Sequence, residues 1–475
     1  MSTSILWFRN DLRLADNPAL AAACEAERIV PVFVLDDEAA GAWRAGGASR
    51  WWLHGSLAAL AHELEQRGAT LVLRRGDARR VIPALAREAG ADAVHAGRAH
   101  EPWLRAADRD IDAALKAGGI AFHRHRSALM FGPEEIATRS GTPYGVYGPF
   151  SRACFERFSP RPHIPAPEKL RGVSGIRGDA LDGWHLLPRH PDWAGGLRGS
   201  WMPGEAGARE RLGIFIGEAL DGYDASRDEP GTSGTSMLSP HLHWGEIAID
   251  AVWRAAADAA PGAGRTAFLK ELIWREFCAH LLWHHPEMPD APLRGEFARM
   301  PWREAPDDLR AWQRGMTGIP IVDAGMRQLW RTGWMHNRIR MVAASFLIKH
   351  LLLPWQAGEA WFHDTLVDAD LASNSASWQW VAGCGADAAP YFRIFNPVLQ
   401  GRKFDARGDY VRSFVPELAR LPDRYIHAPW QAPDAVLKQA GISLGQDYPR
   451  PITDPGEGRD RALAAFRRIR GRAAE

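Results

Sequence analysis

The sequence Gly333-Trp334-Met335-His336-Asn337-Arg338 opens a stretch in which polar and aromatic side chains interrupt otherwise apolar, helical sequence. The stretch continues with Asp368-Ala369-Asp370-Leu371, Trp378-Gln379-Trp380 and Tyr391-Phe392-Arg393-Ile394-Phe395-Asn396. Indole rings stack on flat molecules, and Asn, Arg and Asp side chains hydrogen-bond to polar edges. The pattern therefore indicates a helical interior that binds a large, flat, polar-edged group, and this points to an aromatic cofactor.

Length and composition are those of a globular protein with more tryptophan than usual. The 475 residues suffice for two or three domains, and the apolar fraction of 46% and charged fraction of 24% are ordinary. The 21 Trp residues suggest stacking surfaces or an aromatic relay, although core packing is the simpler interpretation for most of them. The net charge of +1 excludes a uniformly basic protein that coats nucleic acid.

One stretch departs from this balance of charge. No acidic residue occurs between Ala324 and Gly358, whereas that stretch contains the basic residues Arg327, Arg331, Arg338, Arg340 and Lys349. Trp330, Trp334 and Trp355 are interleaved with them. Basic groups alternating with aromatic planes suit a groove for phosphates and stacked bases, so we expect a nucleic-acid partner.

Cysteine usage and hydropathy indicate a reduced compartment and no membrane span. The four cysteines are isolated, without a CxxC pair or metal-ligand spacing: Cys24, Cys154, Cys278 and Cys384. The N-terminus reaches Arg9 and Asp11 too early for a signal peptide, and Lys349 interrupts the longest apolar run. We expect a cytoplasmic monomer that binds no metal and no membrane.

The first 130 residues alternate short β-rich runs with amphipathic helical stretches. The predicted strands are Ser4–Phe8, Ile29–Leu35, Thr70–Leu73, Ala93–Ala96 and Ile120–His123, and the predicted helices are Ser49–Arg67, Ala78–Glu88 and Pro102–Lys116. This alternation is typical of a doubly wound parallel α/β domain of the Rossmann-like kind. Its first βα turn, from Trp7 to Arg13, contains no glycine, so the dinucleotide-binding fingerprint is missing.

Beyond residue 130, first the amino-acid composition changes and then the spacing of the apolar residues. Pro, Gly and Arg dominate from Phe158 to about Pro203, which predicts a long ordered connector within residues 131–204. Apolar spacing is helical after that, so residues 205–475 are predicted to form a larger all-α domain with a basic helix at Arg459–Arg472.

Three groups of residues in the helical part could carry chemistry. Gly231 to Pro240 places hydroxyls and flexible backbone before a helical segment, which suits a phosphate but also an ordinary N-cap. Two helix faces carry an aromatic plane beside hydrogen-bonding groups, at Glu271, Trp274, Arg275 and Cys278 and at Trp334, Asn337, Arg338 and Met341. Asp368, Asp370 and Asn374 form the third group and suit the N–H and C=O edge of a flavin-like ring better than a metal.

Taken in order, these residues resemble the DNA photolyase and cryptochrome family over nearly the whole chain. The resemblance is carried by Trp7-Phe8-Arg9-Asn10-Asp11-Leu12-Arg13 with Asp16-Asn17, Glu271-Leu272-Ile273-Trp274-Arg275-Glu276-Phe277, Gly318 to Asp323, Gly333 to Arg340 and Asp387 to Pro397. It implies an α/β antenna domain joined to a helical domain that holds FAD in a folded form.

The resemblance also implies which residues bind the cofactor. These are Tyr223, Thr235, Ser236, Leu238, Ser239, Trp334, Asn337, Arg340, Asp368, Asp370 and Asn374. In the family's pattern, Arg340 and Asp368 pair beside the isoalloxazine, Asp370 meets its edge and Asn374 faces N5. Met237 stands where relatives often carry Arg.

Within the family, the chain is most similar to the class I enzymes that repair cyclobutane pyrimidine dimers. The implied substrate residues are Arg227, Glu271, Trp274, Asn337, Arg338, Met341 and Trp380. The (6-4) photolyases have His in place of Asn337, plant cryptochromes have Asp in place of Asn374, and the DASH type has Tyr in place of Trp380. We therefore expect UV-damaged DNA as the partner.

The resemblance implies electron transfer rather than acid–base catalysis. Light excites reduced FAD, an electron passes to a dimer flipped out of the duplex, the ring splits and the electron returns. Glu271 and Asn374 are the implied catalytic residues beside the substrate and the flavin, and Trp378, Trp355 and Trp302 are the implied relay that refills the flavin with electrons.

The antenna site departs from the family's pattern. Folate-binding relatives have Glu where this chain has Leu104. A second chromophore therefore stays open among a folate, a deazaflavin, a flavin or none. The alternative function is a cryptochrome-like blue-light photoreceptor, which the intact dimer cavity disfavours.

Overall fold

The computed structural model describes residues 1–387 and 392–471, so Tyr391 and Arg472 of the sequence analysis lie outside the described residues. The chain falls into two compact units, each built from separated segments. Unit 1 comprises Met1–Asp221, Ser236–Pro286 and Val367–Ala372, and unit 2 comprises Gly222–Thr235, Glu287–Leu366 and the described residues of Ser373–Glu475.

A five-stranded parallel sheet forms the centre of the N-terminal part of unit 1. The strands are β1 (Thr3–Phe8), β2 (Arg28–Leu35), β3 (Val72–Arg75), β4 (Ala93–Gly97) and β5 (Ala121–His125), in the order β3-β2-β1-β4-β5. Trp7 pairs with Val32 on one side and with Ala96 on the other, which fixes the register of the central strand. This is the predicted doubly wound parallel α/β architecture, and the prediction is confirmed.

Helices make up most of the remaining regular structure. They are α1 (Pro18–Ala23), α2 (Asp37–Ala40), α3 (Gly47–Gln66), α4 (Ala78–Glu88), α5 (Pro102–Ala117), α6 (Tyr147–Arg157), α7 (Gly195–Ser200), α8 (Glu205–Glu218), α9 (Tyr223–Ser226), α10 (Ser239–His243), α11 (Ile249–Asp258), α12 (Ala263–His284), α13 (Pro306–Gln313), α14 (Pro320–Thr332), α15 (Asn337–Ser345), α16 (Trp355–Thr365), α17 (Leu371–Ala382), α18 (Pro397–Phe404), α19 (Asp409–Phe414), α20 (Asp423–Ile426), α21 (Asp434–Ala440) and α22 (Pro455–Gly471). A π-helical turn, Phe346–His350, continues α15.

Two of the five predicted strands were displaced at both ends by one or two residues, and the other three differ by one residue at one end. β3 runs over Val72–Arg75 instead of Thr70–Leu73, and β5 over Ala121–His125 instead of Ile120–His123. Both are edge strands, and pairing with the inner neighbour, rather than local sequence, sets where they begin and end.

The proline-rich segment after α6 is tied to the sheet. Ile29 donates its backbone N–H to Arg171, Val173 donates to Ile29, and Asp179 donates to Leu73. These bonds satisfy backbone groups on β2 and on the edge strand β3, so this irregular segment covers a sheet edge. The helix α6 within the predicted connector was not foreseen from the sequence.

A buried glutamate, Glu276, joins α12 to the segment after β5 in unit 1. Its Oε2 accepts the backbone N–H of Met130 at 2.9 Å, and its Oε1 has no hydrogen-bond partner among the described residues. Burial raises the pKa of Glu276 to about 7, against the opposing effect of the Arg275 guanidinium. The carboxyl group is therefore held partly protonated near neutral pH.

A buried aspartate, Asp323, organises the start of α14 in unit 2. Its two oxygens accept from the backbone and hydroxyl of Thr317 at 2.7 and 2.6 Å, from the Gly318 backbone at 3.0 Å and from the Tyr448 hydroxyl at 2.6 Å. Gly333 ends α14 in the left-handed conformation with φ 66°, which only glycine adopts without strain. Asp323 thus fixes the start of α14, and Gly333 fixes its end, where the chain turns towards α15.

The described residues contain neither a membrane-spanning helix nor a cluster of metal-ligating side chains. Within residues 1–387 and 392–471, no helix has both the length and the apolarity to cross a membrane. Over the same residues, His, Cys, Asp and Glu side chains nowhere gather in threes in an arrangement that could hold a metal ion.

We predict that Asp323→Ala destabilises the protein by about 3–5 kcal/mol, because four donors lose a buried acceptor. Urea unfolding followed by circular dichroism measures the effect. Asp307→Ala, at a carboxylate whose side chain is 88% exposed, is the matched control and should change stability by less than about 0.5 kcal/mol. Equal midpoints for the two variants would remove Asp323 from this role.

We predict that Glu276 makes stability fall between pH 4.5 and about 7. The folded-state pKa of Glu276 is raised from 4.5 to about 7, so in this window the folded protein binds the extra proton and loses stability as the proton leaves. The slope from this group reaches about 1.4 kcal/mol per pH unit. Glu276→Gln should flatten the pH profile over this window, and parallel profiles for the two proteins would contradict the assignment.

Candidate cofactor and substrate site

The predicted site residues are divided between the two units, and the geometry of each set is described within its own unit. Unit 1 contains Ser236, Leu238, Ser239, Glu271, Trp274, Asp368 and Asp370. Unit 2 contains Tyr223, Arg227, Thr235, Trp302, Trp334, Asn337, Arg338, Arg340, Met341, Trp355, Asn374, Trp378 and Trp380.

Glu271 and Trp274 lie one turn apart on α12 and are both half-buried. The ring of Tyr147, the first residue of α6, lies face to face with the Trp274 indole, with centroids 3.5 Å apart and planes 3° apart. Arg275 was predicted on the same face, but its guanidinium donates to the Ala128 carbonyl at 2.8 Å and the Leu242 carbonyl at 3.1 Å. The Arg275 guanidinium is therefore occupied by backbone carbonyls. Glu271 and Trp274 remain as the candidates for recognition on this face of α12.

The Ser236–Ser239 loop leads directly into α10. Met237 lies in the left-handed region with φ 52°, which is uncommon for a residue with a side chain. The Ser236 hydroxyl accepts the backbone N–H of Leu238 at 3.4 Å. A strained backbone held between two hydroxyl residues is typical of a ligand-binding turn.

Asp370 lies between two histidines of unit 1. Its Oδ2 is 3.8 Å from Nε2 of His100 and 3.9 Å from Nδ1 of His243, and its backbone N–H donates to the carbonyl of Asp368 at 2.7 Å. Burial alone raises the pKa of Asp370, but interactions with His100 and His243 hold that pKa well below its usual range. The carboxylate is therefore ionised and acts only as an acceptor.

His336 caps α15, the helix that carries the predicted residues Asn337, Arg338, Arg340 and Met341 of unit 2. Its Nδ1 accepts the backbone N–H of Arg338 at 3.2 Å, and Arg340 Nε donates to the Met335 carbonyl at 2.7 Å. Burial lowers the pKa of His336 to about 4, so the ring is neutral. Its Nε2 is buried without a hydrogen-bond partner among the described residues.

Arg338 on α15 is held on two sides. Its Nη2 lies 2.6 Å from Oδ2 of Asp228, and its guanidinium lies 4.4 Å from the ring centroid of Phe404. Asn337 is exposed and Met341 half-buried, so the first turns of α15 present a polar surface that includes an aligned cation. Arg227 lies over the ring of Tyr223 at 5.5 Å.

Asn374 on α17 is buried and its amide group is oriented by α16. Its Nδ2 donates to the backbone carbonyl of Glu359 at 3.1 Å. Burial raises the pKa of Glu359 well above its usual value, against the hydrogen bond from Ser375, and so favours the protonated carboxyl group. The carbonyl oxygen of Asn374 is the acceptor of this amide group and is the atom that can accept an N–H group of a ligand.

The predicted relay residues lie in the helical core of unit 2. Trp378 is 2% exposed and packs edge-on against Trp312 at 6.2 Å and Phe362 at 5.0 Å. Trp355 begins α16 and is also buried, whereas Trp302 is half-buried.

The segment that carries Trp302 runs beside the residues that precede Trp355. Next to Trp302, Arg303 donates its backbone N–H to Leu352 and its side chain to Leu351, both at 2.9 Å.

Trp380 follows Trp378 on α17 but faces partly outward. The residue between them, Gln379, is fully buried; it donates to the carbonyls of Met288 and Ala291 and accepts the backbone N–H of Leu293. These bonds fix α17 so that the indole of Trp378 lies in the core, whereas the indole of Trp380 is half-buried.

Sequence reasoning missed Tyr147, Asp228, Trp312 and Glu359. Arg338 and Asp228 are 110 positions apart, and Asn374 and Glu359 are 15 apart, so local spacing gave no signal for either contact. Tyr147 precedes Phe150 by three positions, and this helical spacing was the one signal that could have identified it.

The residues present fit a flat group with polar edges. In unit 2, Nε2 of His336 is buried without a hydrogen-bond partner among the described residues. His336 directly precedes the predicted cofactor-binding residue Asn337, and an unpaired buried nitrogen is costly unless a ligand or water meets it.

Sequence comparison matches both parts of the chain to one family. Residues 4–168 match the family model described as DNA photolyase, and residues 268–468 match the FAD binding domain of DNA photolyase. The deoxyribodipyrimidine photo-lyase of Agrobacterium fabrum is 50% identical over 473 residues, which are 98% of this chain and 98% of that protein. Cryptochrome-1 of Arabidopsis thaliana is 36% identical over 98% of this chain and 70% of its own length.

Structure comparison agrees. The crystal structure of a bacterial class III photolyase from Agrobacterium tumefaciens has a TM-score of 0.96 and 49% identity, and the match covers 99% of this chain and 98% of that one. The chain therefore belongs to the DNA photolyase and cryptochrome family, and FAD is the cofactor of its C-terminal part.

Proposed function

We propose that this protein repairs cyclobutane pyrimidine dimers in DNA under blue light, as a deoxyribodipyrimidine photo-lyase. The observation that carries the proposal is the 50% identity, over 98% of both chains, to an enzyme of that name. The residues that the family uses in its dimer cavity are present, and the half-buried Glu271 and Trp274 and the aligned Arg338 suit the recognition of a base and its phosphates.

We further propose that the enzyme is of class III, in place of the class I type expected from the sequence. The residues of the dimer cavity indicate which lesion is bound. Membership of a class is instead assigned from similarity over the whole chain. A structure described as a class III photolyase matches nearly all of this chain at a TM-score of 0.96, and this favours class III.

FAD, when bound in its reduced form, supplies on illumination the electron that opens the cyclobutane ring. The chain's own residues prepare the site for this chemistry. The ionised Asp370 and the carbonyl oxygen of Asn374 accept from N–H groups at the cofactor's edge, and the backbone carbonyl of Glu359 keeps the Asn374 amide in that orientation. Tyr223, Thr235, Ser236, Leu238 and Ser239 bind its phosphates and ribose, and Trp334, Asn337, Arg340 and Asp368 complete the cofactor site.

The substrate side of the site is built for a flipped, stacked lesion. Trp274 and Trp380 stack on the dimer, and such stacking contributes about 1–3 kcal/mol per base. Glu271 and Asn337 hydrogen-bond to the base edges, and Met341 lines the cavity. Arg227 and Arg338 contact phosphates on either side of the lesion.

The remaining features are proposed from the resemblance and from the composition of the chain. Trp378, Trp355 and Trp302 pass electrons from the surface to the cofactor. The division into an antenna domain at residues 1–130, a connector at 131–204 and a helical domain at 205–475 stands as a proposal. So do a second chromophore, a monomeric state and a cytoplasmic location.

We predict that the reduced holoprotein restores thymine-dimer oligonucleotides under blue light and not in the dark, and that Glu271→Ala keeps FAD but lowers the repair yield at least about tenfold. Chromatography of the repaired oligonucleotide measures the yield, and absorbance gives the FAD content. A protein that binds FAD and responds to light but leaves every dimer intact would favour the photoreceptor instead.

We predict that Arg338→Ala weakens binding to DNA with and without a lesion alike, because Arg338 meets a phosphate. The slope of log affinity against log salt should fall by about 1. Arg198→Ala is the matched control, since this arginine forms an exposed ion pair with Asp192 in unit 1. The assignment fails if the two variants show the same salt slope.

A further inference from the structure

Tyr147 and Trp274 form a close, parallel stacked pair in unit 1. The ring centroids are 3.5 Å apart and the planes are parallel to within 3°. Most aromatic pairs in proteins are offset or edge-on at centroid separations of about 4.5–7 Å. A parallel ring this close lies directly against one face of the indole and occupies the position in which another flat ring would stack.

The hydroxyl group of Tyr147 fixes where its ring lies along α12. It donates to the backbone carbonyl of Lys270 at 2.7 Å. Lys270 and Trp274 are one helical turn apart and share a face of α12, so the tyrosine ring is fastened at one turn and stacks at the next. The two contacts therefore fix both the orientation of the Tyr147 ring and its position along α12.

The position of Tyr147 is set by the packing of α6 on α12. Phe150, one turn further along α6, packs against Phe277 at 5.2 Å and His280 at 5.1 Å. The chain before α6 is held as well, because Tyr144 donates its backbone N–H to Nε2 of His280 at 3.1 Å.

His280 is suited to that contact. Burial lowers the pKa of His280 to about 4, so the ring is neutral and can donate from Nδ1 to Pro133 while it accepts at Nε2. The start of α6 is thus anchored on both sides of Tyr147.

We propose that Tyr147 is a positioning residue for lesion recognition: it occupies one face of Trp274 and holds the indole so that only the opposite face is available to a flipped pyrimidine dimer. The inference rests on the proposed function, in which Trp274 stacks on the dimer. An indole that is already immobile loses less conformational freedom when the dimer stacks on it, which favours lesion-specific binding.

Position 147 should therefore affect the discrimination between damaged and intact DNA more than the affinity for DNA as such. The phosphate contacts assigned to Arg227 and Arg338 belong to unit 2 and do not involve Tyr147. Tyr147→Phe retains the stacked ring and loses the bond to Lys270, whereas Tyr147→Ala loses both.

The test measures dark binding of the oxidised holoprotein to a duplex with one thymine dimer and to the same undamaged duplex. A 2-aminopurine opposite the lesion reports flipping by its fluorescence. Tyr147→Ala should weaken lesion-specific binding about three- to tenfold and reduce the 2-aminopurine signal, while affinity for the undamaged duplex stays unchanged. Tyr147→Phe should retain lesion binding to within about twofold.

The control variant is Phe155→Ala, which removes another aromatic ring of α6. Phe155 packs against Trp253 at 5.7 Å, away from Trp274, and should leave discrimination unchanged. The FAD content and the thermal midpoint of every variant establish that it is folded.

A double-mutant cycle separates positioning from general packing. In the Trp274→Ala background, Tyr147→Ala should cause no further loss of lesion binding, because its effect passes through that indole. The inference is overturned if Tyr147→Ala discriminates as well as the parent protein, or if its loss is undiminished without Trp274. If the parent itself fails to prefer the damaged duplex, the proposed function fails instead.

Discussion

Burial of polar groups among apolar helices is the constraint on which the rest of this structure depends. Glu276, Asp323, Glu359 and His336 all lie in the interior, and burial is the largest influence on the pKa of each. A buried polar group is costly unless it is hydrogen-bonded, so each is met by specific backbone or hydroxyl partners. These partners fix the helices, and the helices in turn fix the side chains that are assigned to the proposed site.

The burial of polar groups acts differently on the cofactor-binding and the substrate-binding residues of the proposed site. On the cofactor side, Asp370 is kept ionised by its histidine neighbours, while the backbone carbonyl of Glu359 orients Asn374. On the substrate side, Trp274 and Arg338 remain half-buried, but each is held by a neighbour, Tyr147 or Asp228. Both arrangements restrict motion before a ligand arrives, and preorganisation of this kind suits electron transfer, for which distance and orientation matter more than proton movement.

The sequence predicted the elements whose pattern is local and missed the contacts whose partners are distant. Seven of the eight residues of β2 are buried, so an uninterrupted apolar run was sufficient to place this strand. The edge strands β3 and β5 were shifted because their limits depend on their neighbours. Arg275 was placed with Glu271 and Trp274 by helical spacing, but spacing cannot show that its guanidinium turns to the carbonyls of Ala128 and Leu242. The helix that carries Tyr147 lies in a stretch interpreted as connector, so its stacking partner was invisible from the sequence.

The central claim is that the protein brings a flipped pyrimidine dimer close enough to reduced FAD for an electron to pass between them. The most direct measurement is the fluorescence lifetime of reduced FAD in the holoprotein, with and without a saturating oligonucleotide that carries one thymine dimer. A clear shortening of the lifetime with the damaged oligonucleotide, and none with the undamaged one, is the predicted result. An unchanged lifetime while the damaged oligonucleotide is demonstrably bound would contradict the claim.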